Sequence, residues 1–354
     1  MVTGSCDLYQ NETKMTYWTH DNDCSNSILR GDAIYQLFAP PCVRGIPATS
    51  IPGFCILMVV AFGSAAAFGS AAAIDDEVAG ITKEVCIVQD PLISEASGLA
   101  VSRTTTDAVW MHNDSGDAPR LFLVDLHGTT QGIVNVKGVT ATDWEDMCSF
   151  ELDGESWLLV GDIGDNQRVR GTKSPSCQLL LLREPKLKPG SPPEAIVEST
   201  VEVVRTIEFQ FPDGAQDCES LAVDAVSRTI LLVTKTDPLH SALYSLPLTL
   251  SIGKETLTAE RLAPLGVTYA TAMDVSSDGR RLAIVNMFSG VMLTRDDPKK
   301  ESWAEASRGS ITVLTLPIRK QGESVCFTAD GKSLLLNSEG KSQPLWQVEL
   351  ELSP

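Results

Sequence analysis

Five short stretches of this chain resemble one another and recur about every fifty residues, which constrains its fold more than any other feature. Their first residues are separated by steps of 48, 74, 52 and 52 residues. The stretches are Ser97–Val101, Glu145–Cys148, Glu219–Val223, Thr271–Val275 and Glu323–Phe327. A fixed period of this length is typical of repeat architectures, and each unit here contains strand-like segments only. The repeat therefore predicts an all-β fold, a β-propeller of four-stranded blades.

The number of blades follows from counting the repeated stretches as first strands. Five blades are expected, with six as the alternative if the long second unit, which carries the insertion Pro185–Pro193, hides a degenerate blade. The last strand of the third unit is predicted at Leu257–Leu262. The fifth unit lacks an outer strand, which the unassigned N-terminal segment Glu84–Gln89 could supply. That pairing would close the ring and remove its exposed edges.

The chain divides into three regions by composition. Residues 1–43 lack periodicity and are interpreted as an unstructured or wrongly assigned N-terminal extension. Residues 44–73 resemble a signal peptide, with an apolar run at Phe54–Phe62 and small residues up to a cleavage site after Ala73. A membrane anchor through residues 54–73 is the alternative. The propeller is expected over residues 74–354, in the periplasm or outside the cell.

Charge and cysteine content exclude some classes of function. The formal net charge of −18 argues against nucleic-acid binding, which needs clustered Lys and Arg. The cysteines beyond residue 73 form no CxxC pair, and buried unpaired thiols are favoured over a disulfide framework. These cysteines are Cys86, Cys148, Cys177, Cys218 and Cys326. A monomer is expected.

Polar residues converge at one end of the predicted ring. In a propeller the first strands line the channel, so the residues that begin them face one another around its mouth. Those residues are Ser97, Glu145, Glu219, Thr271 and Glu323, and Glu95, Asp143 and Asp217 lie close before three of the same strands. Crowded carboxylates repel one another unless a cation intervenes, and oxygen ligands of this kind suit Ca²⁺ first and Mg²⁺ second. Two alternatives stay open: the Glu side chains accept hydrogen bonds from neighbouring blades, or the Asp-rich runs only form turns.

Two side chains near this mouth are candidates for catalysis, His112 and Lys235. His112 ends a second strand, where a solvated loop histidine is expected and a role as a base or a ligand is the alternative. The chain contains no GxSxG, HExxH, P-loop or dinucleotide-binding motif. Whether it is an enzyme is left open by these residues.

Four motifs resemble exported bacterial propeller proteins of the phytase-like and SdiA-regulated kind: Val109–Asp117, Asp143–Asp146, Gly161–Asn166 and Gln321–Ser324. The resemblance implies a propeller whose acidic mouth binds Ca²⁺. In the phytases, Ca²⁺ and basic residues together hold phosphate. The ligand candidates that it implies are Asp114, Asp117, Glu145, Asp162, Asp165, Glu219 and Glu323. The basic residues that could reach the mouth are Lys235, Arg168, Arg319, Lys320 and Lys341.

Two functions are therefore expected. The first is an exported scaffold whose Ca²⁺-binding mouth recognises a small molecule or a protein. The second is a Ca²⁺-dependent phosphoesterase.

Overall fold

The computed structural model describes residues 27–29, 34–36, 74–78, 80–172, 176–187 and 196–351. The chain forms two compact units, residues 1–66 and 67–354. In the first unit, β1 (Ser27–Leu29) and β2 (Ile34–Gln36) pair antiparallel. The rest of the proposed N-terminal extension and leader lies outside the described residues. No helix in the described part of the chain is long and apolar enough to span a membrane.

The second unit is built almost entirely from strands. Its first strands are β3 (Ile74–Val78), β4 (Thr82–Ile87), β5 (Ala96–Val101), β6 (Ala108–Asn113), β7 (Arg120–Asp125), β8 (Thr130–Lys137), β9 (Trp144–Leu152), β10 (Glu155–Asp162), β11 (Cys177–Arg183) and β12 (Val197–Gln210). The others are β13 (Cys218–Asp224), β14 (Thr229–Thr234), β15 (Ala242–Pro247), β16 (Gly253–Thr258), β17 (Glu260–Pro264), β18 (Ala270–Val275), β19 (Arg281–Asn286), β20 (Gly290–Thr294), β21 (Ile311–Leu314), β22 (Gly322–Phe327), β23 (Ser333–Ser338) and β24 (Pro344–Glu349). A single helical turn, α1 (Trp303–Ala306), precedes β21.

These strands form a propeller. Within the described residues of the second unit, the strands form one nine-stranded, one five-stranded and two four-stranded sheets, and antiparallel runs in these sheets begin at β5, β9, β13, β18 and β22. Each of these first strands contacts the next, and β22 contacts β5, so the ring is closed. All five are almost wholly buried, because they pack against sheets on both sides. The predicted all-β propeller is therefore confirmed.

The N-terminal strand completes the last unit, as predicted. Strand β4 pairs antiparallel with β24 and supplies the fourth strand of that sheet. Strand β3, which the sequence analysis does not assign, pairs parallel with β21 at the outer edge of the fourth unit.

The predicted last strand of the third unit, Leu257–Leu262, is wrong. The segment breaks at Ala259, which is buried and donates its N–H to the Gln210 carbonyl at 2.9 Å. Before the break, β16 does not pair with any strand described in the third unit. It pairs parallel with β12 of the second unit, where Arg205 forms an ion pair with Glu255. After the break, β17 pairs with β15. The extra length of the second unit lies in β12, which has 14 residues, and in residues 188–195, which are outside the described range.

The cysteines are free thiols, as predicted for the described residues. Four are buried and Cys86 is half-buried. Burial raises the pKa of Cys86 to about 11 and that of Cys177 to about 12, so neither is an activated thiolate at neutral pH.

Two buried aspartates bind the first strands of different units to one another. Asp146 accepts hydrogen bonds from the backbone N–H groups of Leu221 at 2.9 Å and Met273 at 3.0 Å. Asp274 accepts one from the N–H of Phe327 at 2.8 Å. Because first strands of a propeller contact their neighbours without a hydrogen-bond ladder, these carboxyl groups satisfy donors that water cannot reach.

Candidate functional site

The candidate site is the end of the ring where first strands begin and second strands end. We call it the acidic mouth, and define it by the carboxylates Glu95, Asp114, Asp143, Glu145, Asp217, Glu219, Glu323 and Glu339. Among the described basic residues, Lys235 acts electrostatically on several of them, and Arg319 acts on Glu323. The predicted convergence of carboxylates at this end is therefore present.

Three of these carboxylates form a compact group, which we call the oxygen cluster: Asp114, Asp143 and Glu145. One oxygen from each lies within 4.8 Å of the other two. Asp114 follows the last residue of β6, Asp143 precedes β9, and Glu145 is the second residue of β9. Glu145 is buried, and Ser97 Oγ donates a hydrogen bond to it at 3.3 Å. The cluster therefore combines a first strand with loops from two neighbouring units.

Gly164 lets the loop after β10 cover the oxygen cluster. A methyl group on this residue would overlap Glu145 Oε1 and Asp143 Oδ2. The backbone N–H groups of Ile163 and Gly164 both donate to the Asp143 carbonyl, at 3.1 and 3.2 Å. This close approach explains why a glycine stands in the middle of the Gly161–Asn166 motif.

We expect Gly164→Ala to weaken cation binding at the mouth by about tenfold or more, because relieving such an overlap costs roughly 1–3 kcal/mol. Gly116→Asn is the matched control. Gly116 lies in the neighbouring loop with φ 89° and with open space where a side chain would begin, and asparagine tolerates positive φ. Calorimetric Ca²⁺ titration of both variants measures the effect. Equal affinities in the two variants would show that the covering loop does not shape the cluster.

Burial and mutual repulsion raise the pKa of several carboxyl groups at the mouth. The pKa of Asp143 is raised to about 6, chiefly by burial and then by Asp114. The pKa of Glu145 is raised well above its usual range by burial and by Glu219. Burial raises the pKa of Glu323 to about 7 and that of Glu219 to about 8, against the opposing effect of Lys235. The basic groups that oppose these rises, among them Lys235, Arg170 at Asp143 and Arg319 at Glu323, are fewer than the mouth carboxylates, so an added cation would be stabilised here.

Lys235 and Arg319 are the basic side chains at the mouth. Lys235 Nζ forms an ion pair with Glu219, which raises the pKa of the lysine against the effect of its burial. Arg319 is 4% exposed and donates from Nη2 to the Asn286 carbonyl at 3.0 Å. Its Nε and Nη1 have no acceptor among the described residues, and burial lowers its pKa to about 10. A side chain on Gly322 would overlap this guanidinium, which explains the glycine of the Gln321–Ser324 motif.

Three ligand candidates from the resemblance are engaged by the protein itself, two of them in the loop after β10. Asp162 accepts from Arg170 Nη2 at 2.5 Å and from the N–H of Asp143 at 3.1 Å. Asp165 accepts from the N–H groups of Val169 and Arg170, at 2.7 and 3.0 Å. These contacts organise that loop.

Asp117, the third, organises the loop after β6 in the same way. Its carboxylate pairs with Arg120 at 2.7 Å and accepts from Asn113 Nδ2 at 2.7 Å. Against the effect of burial, these hydrogen bonds and the arginine charge lower the pKa of Asp117, so it differs from the mouth carboxyl groups whose pKa is raised.

His112 is buried and not solvated. It is 0% exposed and stacks edge-on against Trp144, with ring centroids 5.3 Å apart. Its Nδ1 lies 3.0 Å from the Asn113 carbonyl, and burial lowers its pKa to about 4. The expectation of a solvated loop histidine is therefore wrong, because the ring occupies the space that Gly98 leaves over β5.

The four remaining candidates, Thr271, Arg168, Lys320 and Lys341, differ in burial and in contacts. Thr271 is fully buried and donates from Oγ1 to the Gly322 carbonyl at 2.8 Å. Arg168 lies near enough to Asp217 to oppose the rise in its pKa. Lys320 and Lys341 are exposed.

Asp143 belongs to the oxygen cluster but not to the ligand set that the resemblance implies. It lies two residues before Glu145, the offset that also relates Glu95 to Ser97 and Asp217 to Glu219. Because side chains two apart share a face of a strand, that offset is the signal in the sequence that points to Asp143.

The charge state of the buried carboxyl groups predicts how stability depends on pH. The pKa values of Glu323 and Asp274 are about 7 and that of Glu219 about 8, whereas these groups ionise near pH 4 in an unfolded chain. The folded state therefore holds more protons above pH 4, and stability falls as the pH rises towards those values. His112 acts in the opposite direction, but only below about pH 6.5.

We expect the metal-free protein to lose roughly 2–3 kcal/mol of unfolding free energy between pH 6.5 and pH 8. Urea unfolding in EGTA at the two pH values measures this change. A cation bound at the mouth would reduce this loss, because it would stabilise the ionised form of the carboxyl groups there. A stability that is constant or rises over this interval would contradict the proposed charge states.

Comparison with known proteins gives only distant structural likenesses. No family model and no curated protein sequence matches the chain. The PQQ-bound aldose sugar dehydrogenase from Streptomyces coelicolor matches with a TM-score of 0.41 at 11% identity, over 79% of this chain and 100% of that one. The Pan2 WD40 domain from Neurospora crassa matches with a TM-score of 0.39 at 10% identity, over 79% and 98%. A putative oxidoreductase (glucose dehydrogenase) from Thermus thermophilus matches with a TM-score of 0.39 at 11% identity, over 76% and 99%. Likenesses this remote say nothing about activity.

Proposed function

We propose that this chain is a binding scaffold whose acidic mouth takes up one Ca²⁺ ion at the oxygen cluster. The observation that supports this most strongly is the approach of Asp114, Asp143 and Glu145 within 4.8 Å, beneath a loop whose glycine leaves them room. Ca²⁺ is favoured over Mg²⁺ because the ligands come from separate elements and Ca²⁺ accepts irregular oxygen coordination. Glu219 forms an ion pair with Lys235, and Glu323 lies near enough to Lys235 for the ammonium to oppose the rise in its pKa, so both contribute charge rather than ligand atoms.

Thermal unfolding of the full chain tests this proposal. Ca²⁺ at about one hundred times its Kd should add about 2.7 kcal/mol and raise the Tm by roughly 5 °C. Mg²⁺ at the same concentration should do less. Glu145→Gln should abolish the shift, whereas Glu151→Gln, an exposed residue further along the same strand β9, should retain it. A Tm that does not respond to Ca²⁺ or to EGTA would contradict the proposal that the mouth binds a metal ion.

A second candidate, a Ca²⁺-dependent phosphoesterase, is favoured by Arg319 and Lys235. The free Nε and Nη1 of Arg319 and the Lys235 ammonium could hold an anionic phosphate next to the cluster. A bound Ca²⁺ would supply electrostatic polarisation of the phosphoryl oxygens. His112 is not included in this proposal, because it is buried and neutral.

The enzyme predicts Ca²⁺-dependent release of phosphate from p-nitrophenyl phosphate, reduced by about a hundredfold or more in Arg319→Leu and in Glu145→Gln. Asp162→Asn should reduce it through disorder of the covering loop. Calcium binding without any turnover would support the scaffold and exclude this reaction on simple esters.

Export remains part of the proposal. Cleavage after Ala73 would leave β3, which begins at Ile74, intact in the mature chain. Mass spectrometry of the protein recovered outside the cytoplasm should find an N-terminus near Ile74. A chain that retains residues 54–73 in the membrane fraction would instead indicate an anchor.

A further inference from the structure

Four large apolar side chains are exposed on the face of the ring that carries the acidic mouth. They lie in loops at the same end: Leu239 between β14 and β15, Tyr269 before β18, Phe288 between β19 and β20, and Ile318 between β21 and β22. Their exposed fractions are 85%, 52%, 66% and 99%. We call these residues the apolar arc.

Hydrogen bonds join the loops of the apolar arc in sequence around the third, fourth and fifth units. The Tyr269 N–H donates to the Thr236 carbonyl at 2.9 Å. Asn286 Nδ2 donates to the Thr268 carbonyl at 3.0 Å. The loop of Phe288 is in turn joined to that of Ile318, because Arg319 donates to the Asn286 carbonyl at 3.0 Å. The four side chains therefore belong to one surface and not to separate ones.

The backbone of Tyr269 is held in an uncommon conformation. Its φ is 45°, in the left-handed region that a bulky residue rarely adopts. About half of the tyrosine side chain remains exposed, so burial in this protein does not account for the strained conformation. Aromatic side chains held rigidly at a surface are effective anchors in interfaces, because little conformational freedom is lost on binding.

The apolar arc borders the acidic mouth at two points. Lys235 and its partner Glu219 lie beside the loop of Leu239, and Glu323 follows the loop of Ile318 by a few residues. The carboxylates outnumber the basic side chains here, and Glu323 has Lys235 and Arg319 as its only basic neighbours among those that shift its pKa. The surface therefore combines apolar contacts with a surplus of negative charge.

We propose that the apolar arc and the adjoining carboxylates bind an extended segment of a partner protein that carries a Lys or Arg side chain flanked by apolar residues. The basic side chain pairs with Glu339, which is half-buried and joined to the Ile318 loop because its N–H donates to the Gln321 carbonyl at 3.0 Å, and with the exposed Glu95 close to it. The apolar side chains pack on Phe288, Ile318 and Tyr269. Charge complementarity selects this occupant, because the acidic face repels nucleic acid and anionic lipid. The inference goes beyond the cation site and does not require it.

Selection from a phage-displayed library of random 12-residue peptides against the full chain in EGTA tests this inference. Selected peptides should contain Lys or Arg next to apolar residues. Fluorescence anisotropy should show that the double variant Phe288→Ser/Ile318→Ser weakens their binding by about tenfold or more. The variant Glu95→Gln/Glu339→Gln should weaken it by about fivefold or more, and added salt should act in the same direction.

Ile252→Ser is the matched control, because Ile252 is 87% exposed at the opposite end of the ring. It should change affinity by less than about twofold, as expected for a surface substitution outside the interface. The inference is overturned if no peptide is selected, if the selected peptides lack basic residues, or if the double variant binds them unchanged. Binding of phosphatidylcholine vesicles that the double variant abolishes, without any peptide binding, would assign the arc to a membrane and also overturn it. Because EGTA is present throughout, a failure of the calcium proposal leaves this result unaffected.

Discussion

Replacing Gly98 by alanine is expected to destabilise the fold by about 3 kcal/mol or more, one of the two largest effects that we predict. A methyl group at this position would overlap the imidazole ring of His112, which is fully buried. The ring cannot move aside, because Trp144 packs against it and the Asn113 carbonyl holds Nδ1. Urea unfolding in EGTA measures the free energy.

A double-mutant cycle separates this overlap from a general effect of alanine in a strand. In the His112→Ala background, Gly98→Ala should cost less than about 1 kcal/mol, since the space is then free. If Gly98→Ala costs the same amount with and without the histidine ring, the contact does not explain the glycine.

The second large effect is expected for Asp146→Leu, which should lower the free energy of unfolding by roughly 3–5 kcal/mol. Asp146 lies at the centre of the ring and accepts hydrogen bonds from Leu221 and Met273, which belong to the first strands of two other units. Leucine has nearly the same shape but accepts nothing, so two buried N–H groups lose their partner.

Asp146→Asn is the control for this prediction. Burial raises the pKa of Asp146 well above the usual range, so the uncharged amide is a close replacement and retains one acceptor oxygen. We expect it to cost less than half as much as leucine. Equal losses in the two variants would show that the hydrogen bonds across the ring contribute little.

Most of the fold could be predicted because the same strand pattern recurs in each unit, so the assignment in one unit can be compared with that in the others. The second strands of the first, third and fourth units, Ala108–Asn113, Thr229–Thr234 and Arg281–Asn286, each begin about ten residues after the start of their repeated stretch. Short continuous apolar runs bounded by turn residues fix such strands locally.

The outer strands could not be predicted as well, since their partners lie in other units. Strand β12 pairs with β8 at its beginning and with β16 towards its end, and only the folded ring brings these three together. Nothing local in Leu257–Leu262 marks Ala259 as the residue at which the chain changes sheets.

The position of the candidate site was predicted, whereas the role of each residue was not. The sequence analysis singles out Glu145 from the repeat, but its neighbour Asp146 makes the contacts between units that were expected of the Glu side chains. Asp162 and Asp114 look alike in the sequence as residues at the ends of second strands. Arg170, eight residues after Asp162, donates a hydrogen bond to it, whereas Asp114 has no such partner among the described residues and lies in the oxygen cluster. The contact with Arg170 depends on how the loop after β10 folds back, which the sequence does not show.

Calorimetric titration of Ca²⁺ into the EGTA-treated full chain tests the central claim most directly. The account predicts one Ca²⁺ per chain, an affinity lower by about a hundredfold in Glu145→Gln and in Asp143→Asn, and an unchanged affinity in Glu151→Gln. It also predicts that affinity rises from pH 6 to pH 8, as Asp143 and Glu219 lose their protons. No heat of binding up to millimolar Ca²⁺, or the same affinity in Glu145→Gln and Glu151→Gln, would contradict it.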